Sequence, residues 1–110
     1  QPLDCFIQIN ISEEPNKQGI PASKLKSFVK QIQDLEKIHV VGLMCIAKFT
    51  FDEEELEGYF SKMKKLKEQV EEMNIHNVPC HRLSMGMTND YKIALKYGAT
   101  DLRLGRIFLK

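Results

Sequence analysis

Apolar residues recur along this chain with two different periods, and the switches between them mark out its elements. Cys5 to Ile11 (CFIQINI) is rich in β-branched and aromatic residues and runs into Ser-Glu-Glu-Pro-Asn, a loop composition, which predicts a first strand. After Gly19, Pro21 suits the first turn of a helix whose apolar positions Leu25, Phe28, Val29, Ile32 and Leu35 follow helical spacing. Ile38 to Ile46 (IHVVGLMCI) is apolar almost throughout, as expected of a parallel strand covered on both faces. Leu56, Tyr59, Phe60, Met63, Leu66, Val70 and Met73 then repeat every three or four residues over a long helix, whose acidic start suits the positive end of the helix dipole. The stripe reads as core packing, and the DEEELE and KMKKLK runs beside it as solvated faces.

The last quarter carries the candidate chemistry. Leu83-Ser84-Met85 is a short apolar run, Gly86 permits a tight turn, Thr88 stands where a helix N-cap belongs, and Asp90 falls in the favourable first turn. Exposed amides at such a turn hold an anion. Gly98 ends the helix, Asp101 to Leu104 forms the next strand, and Gly105 lets backbone amides approach a ligand closely. The alternation predicts an α/β fold of four parallel strands and three helices, joined by right-handed βαβ crossovers. That is half the complement of an eight-stranded (β/α) barrel. Left alone, such a half has unpaired edge strands and an uncovered concave face, and is expected to pair with itself, aggregate or order poorly.

A length of 110 residues with 43% hydrophobic content suffices for one compact domain or part of one. The chain opens on Gln1 directly before a strand, with neither a signal peptide nor an apolar run of membrane-spanning length, which reads as an internal start. Sixteen basic against fifteen acidic residues leave a formal charge of +1, too even to suggest nucleic acid or an anionic membrane as a main partner. A small ligand fits better. Cys5, Cys45 and Cys80 are odd in number and far apart, the usual pattern of reduced thiols in the cytoplasm. His76, Cys80 and His81 raise a zinc question, but no second ligand pair of the usual spacing accompanies them, and they read as a polar loop before a strand.

Leu83 to Asp90 (LSMGMTND), Gly98-Ala99-Thr100 and Leu102-Arg103-Leu104-Gly105 closely resemble the signature of the pyridoxal phosphate (PLP) homeostasis proteins, whose barrel is related to the N-terminal domain of alanine racemase. That signature runs Leu-Ser-Met-Gly-Met-Ser-x-Asp, a helix, Gly-Ser-Thr and Val-Arg-Ile-Gly. Gln8-Ile9-Asn10-Ile11, Lys17-Gln18-Gly19 and Gly42-Leu43-Met44 extend the likeness in family order. It spans nearly the whole chain but half the family's length, and implies the C-terminal half of a single PLP-binding barrel domain over residues 1–110. The N-terminal half, with the lysine that forms the Schiff base, is absent from it. Lys48 follows a strand tip, yet nothing around it matches the family's lysine motif.

The resemblance implies that Thr88, in place of the family's serine, and the amides around Gly105 hold the cofactor phosphate, with Arg103 beside the pyridine nitrogen and Ser84 and Gly86 shaping the turn. After Gly105 the family usually carries a hydroxyl residue, whereas this chain has Arg106 and ends Ile107-Phe108-Leu109-Lys110. The backbone amide of Arg106, ahead of its side chain, is then the candidate contact. Taken alone, Arg103 also suits an ion pair with Asp101 or Asp90, and both Thr88 and Asp90 suit purely helix-stabilising roles.

A guanidinium stays charged and disfavours a protonated pyridinium beside it, so Arg103 suits either a restrained racemase or a protein that carries PLP without turning substrate over. The leading expectation, which the resemblance implies, is a non-enzymatic PLP-binding protein of intracellular vitamin B6 balance, with PLP-dependent apo-enzymes as recipients. A PLP-dependent amino-acid racemase of the same barrel type is the second reading. An unrelated phosphate-binding barrel enzyme is the third, since this architecture hosts many activities.

Overall fold

The computed structural model describes residues 2–15, 18–48 and 50–103. Four strands, β1 (Leu3–Gln8), β2 (Ile38–Met44), β3 (Arg82–Met87) and β4 (Asp101–Arg103), lie side by side in chain order, and each pairs in parallel with the next. Parallel neighbours need a crossover between them, and α1 (Leu25–Ile32), α2 (Glu53–Glu72) and α3 (Tyr91–Lys96) supply one for each pair. The fold is thus α/β with four parallel strands and three helices, like part of a TIM barrel.

The register separates the two faces of the sheet. Ile7 pairs with Leu43 and Leu43 with Leu83, all buried in the core beneath the helices, while their neighbours Gln8, Met44 and Ser84 pair with one another on the opposite, concave face. Val29 of α1, Phe60 and Met63 of α2 and Ala94 of α3 close the core from outside, each fully buried. Burying side chains of the size of Val29 and Phe60 contributes about 1.5–3 kcal/mol apiece, which makes the helix side the stabilising face.

The long helix begins as its composition suggests, with Asp52 as N-cap accepting from the amides of Glu54 at 3.0 Å and Glu55 at 3.3 Å. The preceding helix is shorter than its periodicity predicts. Pro21 precedes a 3-10 turn over Ala22–Lys24 instead of entering an α-helical first turn, and the helix stops before Leu35, which is 45% exposed. β1 also ends early, at Gln8. Beyond it the chain folds back, and Ile20 donates to Gln8 O and accepts from Asn10 N, both at 2.9 Å. Gly19 permits this approach with φ +105°, since a Cβ there would stand 2.9 Å from Gln8 O. β1 and β4 are the edges of the sheet. No described helix is long and apolar enough to cross a membrane.

Charged side chains stitch the amino ends of the strands together. Arg82, first in β3, forms a bidentate pair with Asp101, first in β4, its Nε donating at 3.1 Å, and its guanidinium lies 5.2 Å above the Phe6 ring of β1. Thr100 donates to the same Asp101 carboxylate at 2.6 Å, and His39 meets Asp4 at 3.0 Å. Asn77 fastens the end of α1 there, its Nδ2 donating to the carbonyls of Ile32 and Leu35 at 3.0 Å each.

Candidate functional site

The carboxyl ends of the strands gather Asn10, the tip of β2 at Cys45 and Ile46, the Met87–Asp90 turn and Arg103, the rim where parallel α/β folds bind ligands. Leu102 packs against the core, so Arg103 projects to the concave face. Its Nη2 donates to the carbonyl of Cys45 at 2.5 Å, and its buried Nε has no partner among the described residues. Neither ion pair open to Arg103 from its sequence context forms: Asp101 is engaged by Arg82, and the Asp90 carboxylate turns to a backbone amide.

Burial pushes the Cys45 thiol up to about 12, the nearby positive charge of Arg103 works against that rise, and the Asp90 carboxylate adds to it. The thiol is therefore neutral and inert, and Arg103 and Asp90 are the two charges felt at the tip of β2.

The turn differs from its sequence expectation. Thr88 is not the N-cap; Asp90 occupies that position, preceding rather than entering the first turn of α3. Its Oδ1 accepts from Met87 N at 2.6 Å and its own N–H donates to Met87 O at 3.1 Å, so one buried carboxylate closes the turn. Met87 N is thereby unavailable to a bound anion. Thr88 is exposed, and with Asn89, Asp90, Glu53 and Lys92 it lines a cleft of 350 Å³ that carries two carboxylates and one cation.

Gly86 lies within β3 rather than after it. With φ +103°, and with a built Cβ only 2.7 Å from Ala94 Cβ and 2.9 Å from Leu102 Cδ2, it lets α3 and β4 close onto the strand. Its place is fixed by packing as much as by the turn. Ser84 is buried on the concave face, and its carbonyl accepts from Cys45 N at 3.1 Å. Gly105 and Arg106, with Leu104, lie outside the described residues, as does Lys17.

Lys48 is drawn to Glu55 of α2, 3.8 Å away. His81 turns to Glu71 at 2.6 Å, and burial pushes the Cys80 thiol up to about 12. Among the described residues no group of three or more His, Cys, Asp and Glu is placed to hold a metal ion.

Asn10, part of the Gln8-Ile9-Asn10-Ile11 stretch of the family likeness but given no role by it, also stands at this rim. Its Nδ2 donates to Glu14 O at 2.9 Å, while its buried Oδ1 has no partner among the described residues. The available signal was a polar residue between Ile9 and Ile11 at a strand tip.

The pyridoxal phosphate homeostasis protein of Haemophilus influenzae is 40% identical over 104 residues, which cover 94% of this chain and 44% of that one. An unknown protein of Bifidobacterium adolescentis superposes with a TM-score of 0.89 at 28% identity, over 94% of this chain and 42% of that one. PipY of Synechococcus elongatus, solved without PLP, gives a TM-score of 0.85 at 26% identity, over 96% of this chain and 48% of that one. The chain spans about 45% of the length of the first curated relatives it matches. The alanine racemase N-terminal domain family matches residues 1–109, almost the full length described by the sequence, and the chain belongs to that family.

Proposed function

We propose that this chain is the C-terminal half of a PLP-binding (β/α)8 barrel, working in cytoplasmic PLP (vitamin B6) homeostasis without turnover of substrate. The observation that carries this reading is Arg103: a guanidinium anchored to Cys45 O on the concave face at the carboxyl ends of the strands, with its Nε–H shielded and unpartnered. A buried donor without an acceptor fits a ligand that brings one, and the pyridine nitrogen is such an acceptor. The name of the Haemophilus relative supports the same ligand.

In this reading Arg103 faces the ring nitrogen, while Thr88 with the amides of Gly105 and Arg106 holds the phosphate. Ser84 and Gly86 keep β3 in place beneath them. The exposed side chains of Ile46 and Met87 offer apolar surface at the same rim. When bound, PLP supplies an aldehyde that reacts with amines and a ring able to accept electrons. A permanent cation at the ring nitrogen keeps a proton off that atom and so restrains the electron-accepting character, which is compatible with storage and delivery to PLP-dependent apo-enzymes. The covalent lysine is assigned to the other half of the barrel.

The test is borohydride reduction of the complete protein after incubation with PLP, followed by peptide mapping. One modified lysine outside residues 1–110, with no racemisation of alanine or other amino acids, is the expected result. Labelling scattered over surface lysines, or none, would overturn the PLP reading; turnover of an amino acid would make the protein a racemase.

A further inference from the structure

We infer that the cleft at the amino ends of the strands, between the end of α1 and the start of β2, binds a small primary alkylammonium ion that donates to Asn77 Oδ1. This cleft lies at the other end of the sheet from Arg103, and the inference stands independently of the PLP reading. Three buried side-chain atoms among the described residues lack a partner, and two of them, Asn10 Oδ1 and Arg103 Nε, belong to the carboxyl-end rim. The third is Oδ1 of Asn77, a residue only 8% exposed that forms part of the wall of a 480 Å³ cleft.

The orientation of this amide is fixed by its surroundings. Its Nδ2 donates to Ile32 O and Leu35 O at 3.0 Å each, so both hydrogens are committed. Exchanging oxygen and nitrogen would set an acceptor against two carbonyls. What Asn77 has left is an acceptor, and buried polar atoms are almost always satisfied, so this one calls for a donor.

The rest of the cleft selects the kind of donor. No lysine or arginine lines it, whereas Asp34 and Glu36 do. Gln33, the C-cap of α1, lines it too, which sets the negative end of that helix dipole beside the same space. His39 faces Asp4 through Nδ1 at 3.0 Å, and a neutral ring that donates there keeps Nε2 as a further acceptor. Potential and hydrogen-bonding pattern therefore agree on a cation that carries N–H groups. Leu35 and Ile38 add apolar wall for a short alkyl stem. A primary ammonium supplies charge, donors and stem together, while a quaternary ammonium of the same length supplies charge and stem but no donor.

The experiment titrates the complete protein with n-butylammonium and with butyltrimethylammonium at about pH 8, where imidazoles are neutral and the primary amine is charged. PLP is left out, because its aldehyde reacts with amines. Amide chemical shifts read by NMR are expected to move saturably at Asn77 and over residues 33–37, with a Kd of about 1–10 mM for the primary amine. The quaternary ion is expected to bind about tenfold more weakly, since it leaves Asn77 Oδ1 without a donor. Asp34→Asn combined with Glu36→Gln alters two exposed side chains and is expected to weaken the primary amine about fivefold with the fold unchanged. Equal affinity for the two cations would mean that charge alone attracts them, and would overturn the assignment to Asn77 Oδ1. Shifts confined to other surfaces, or none up to about 0.1 M ligand, would overturn the inference while leaving the PLP reading untouched.

Discussion

Two arginines on neighbouring strands show how differently the two ends of this sheet are used. Arg82, at the amino ends, has a carboxylate in bidentate contact and an aromatic ring beneath it. Arg103, at the carboxyl ends, has one carbonyl and an open, buried Nε. The first guanidinium is saturated by the fold and serves to hold β1, β3 and β4 in register. The second is held in place by the fold but not satisfied by it, the condition in which a side chain remains available to a ligand.

The amino-end arrangement breaks most severely at Gly42. A Cβ there would stand 2.1 Å from the carbonyl oxygen of Arg82, a backbone atom that cannot step aside alone. Gly42→Ala is expected to lower stability by about 2–3 kcal/mol, read from chemical denaturation. A loss below about 0.5 kcal/mol would mean that the strands separate cheaply and that this end is not rigid.

Exchanging the arginines one at a time tests the contrast directly. Arg103→Leu is expected to weaken PLP binding by about tenfold or more while leaving the melting temperature nearly unchanged, since it removes an unsatisfied buried donor along with one hydrogen bond. Arg82→Leu is expected to do the reverse, lowering the melting temperature with PLP affinity preserved. If both variants lose both properties, the two ends are one cooperative unit and the contrast fails.

The smallest effect is on pH dependence. The hydrogen bond from Arg82 holds the Asp101 carboxyl below its usual range against the opposing effect of burial, with Thr100 assisting. A carboxylate whose folded pKa is depressed stabilises the fold above its unfolded pKa, and that contribution disappears as pH falls through the folded value. Asp101→Asn should therefore narrow the difference in melting temperature between neutral and acid solution, measured from about pH 7 to about pH 3. An unchanged difference would show that the Arg82 pair contributes nothing measurable.

Periodic features were legible from the residues alone. The apolar run of β2 and the repeat from Leu56 to Val70 each report a burial pattern that one element produces by itself, and the structure contains both. The start of α3 was not legible, because Thr88, Asn89 and Asp90 are all capping residues in succession. The choice falls to Asp90 through its bond back to Met87, a tertiary detail of the turn. The partner of Arg103 was equally hidden: Cys45 O is a backbone atom 58 positions away, and no side-chain pattern advertises it. Asn10 carried only a weak sign, a polar side chain in an apolar strand, and its unsatisfied oxygen becomes visible only once the amide nitrogen is seen to be committed to Glu14.

The fold-back at Gly19 and Ile20 bears on assembly. Because Gln8 O and Asn10 N are already engaged, the outer edge of β1 is closed from Gln8 onward. A strand joining that edge meets a mechanical stop and cannot slide past it toward the rim. The short bridge between Ile9 and Ile20 thus acts as a gauge, limiting the depth to which a neighbouring strand can seat along this edge.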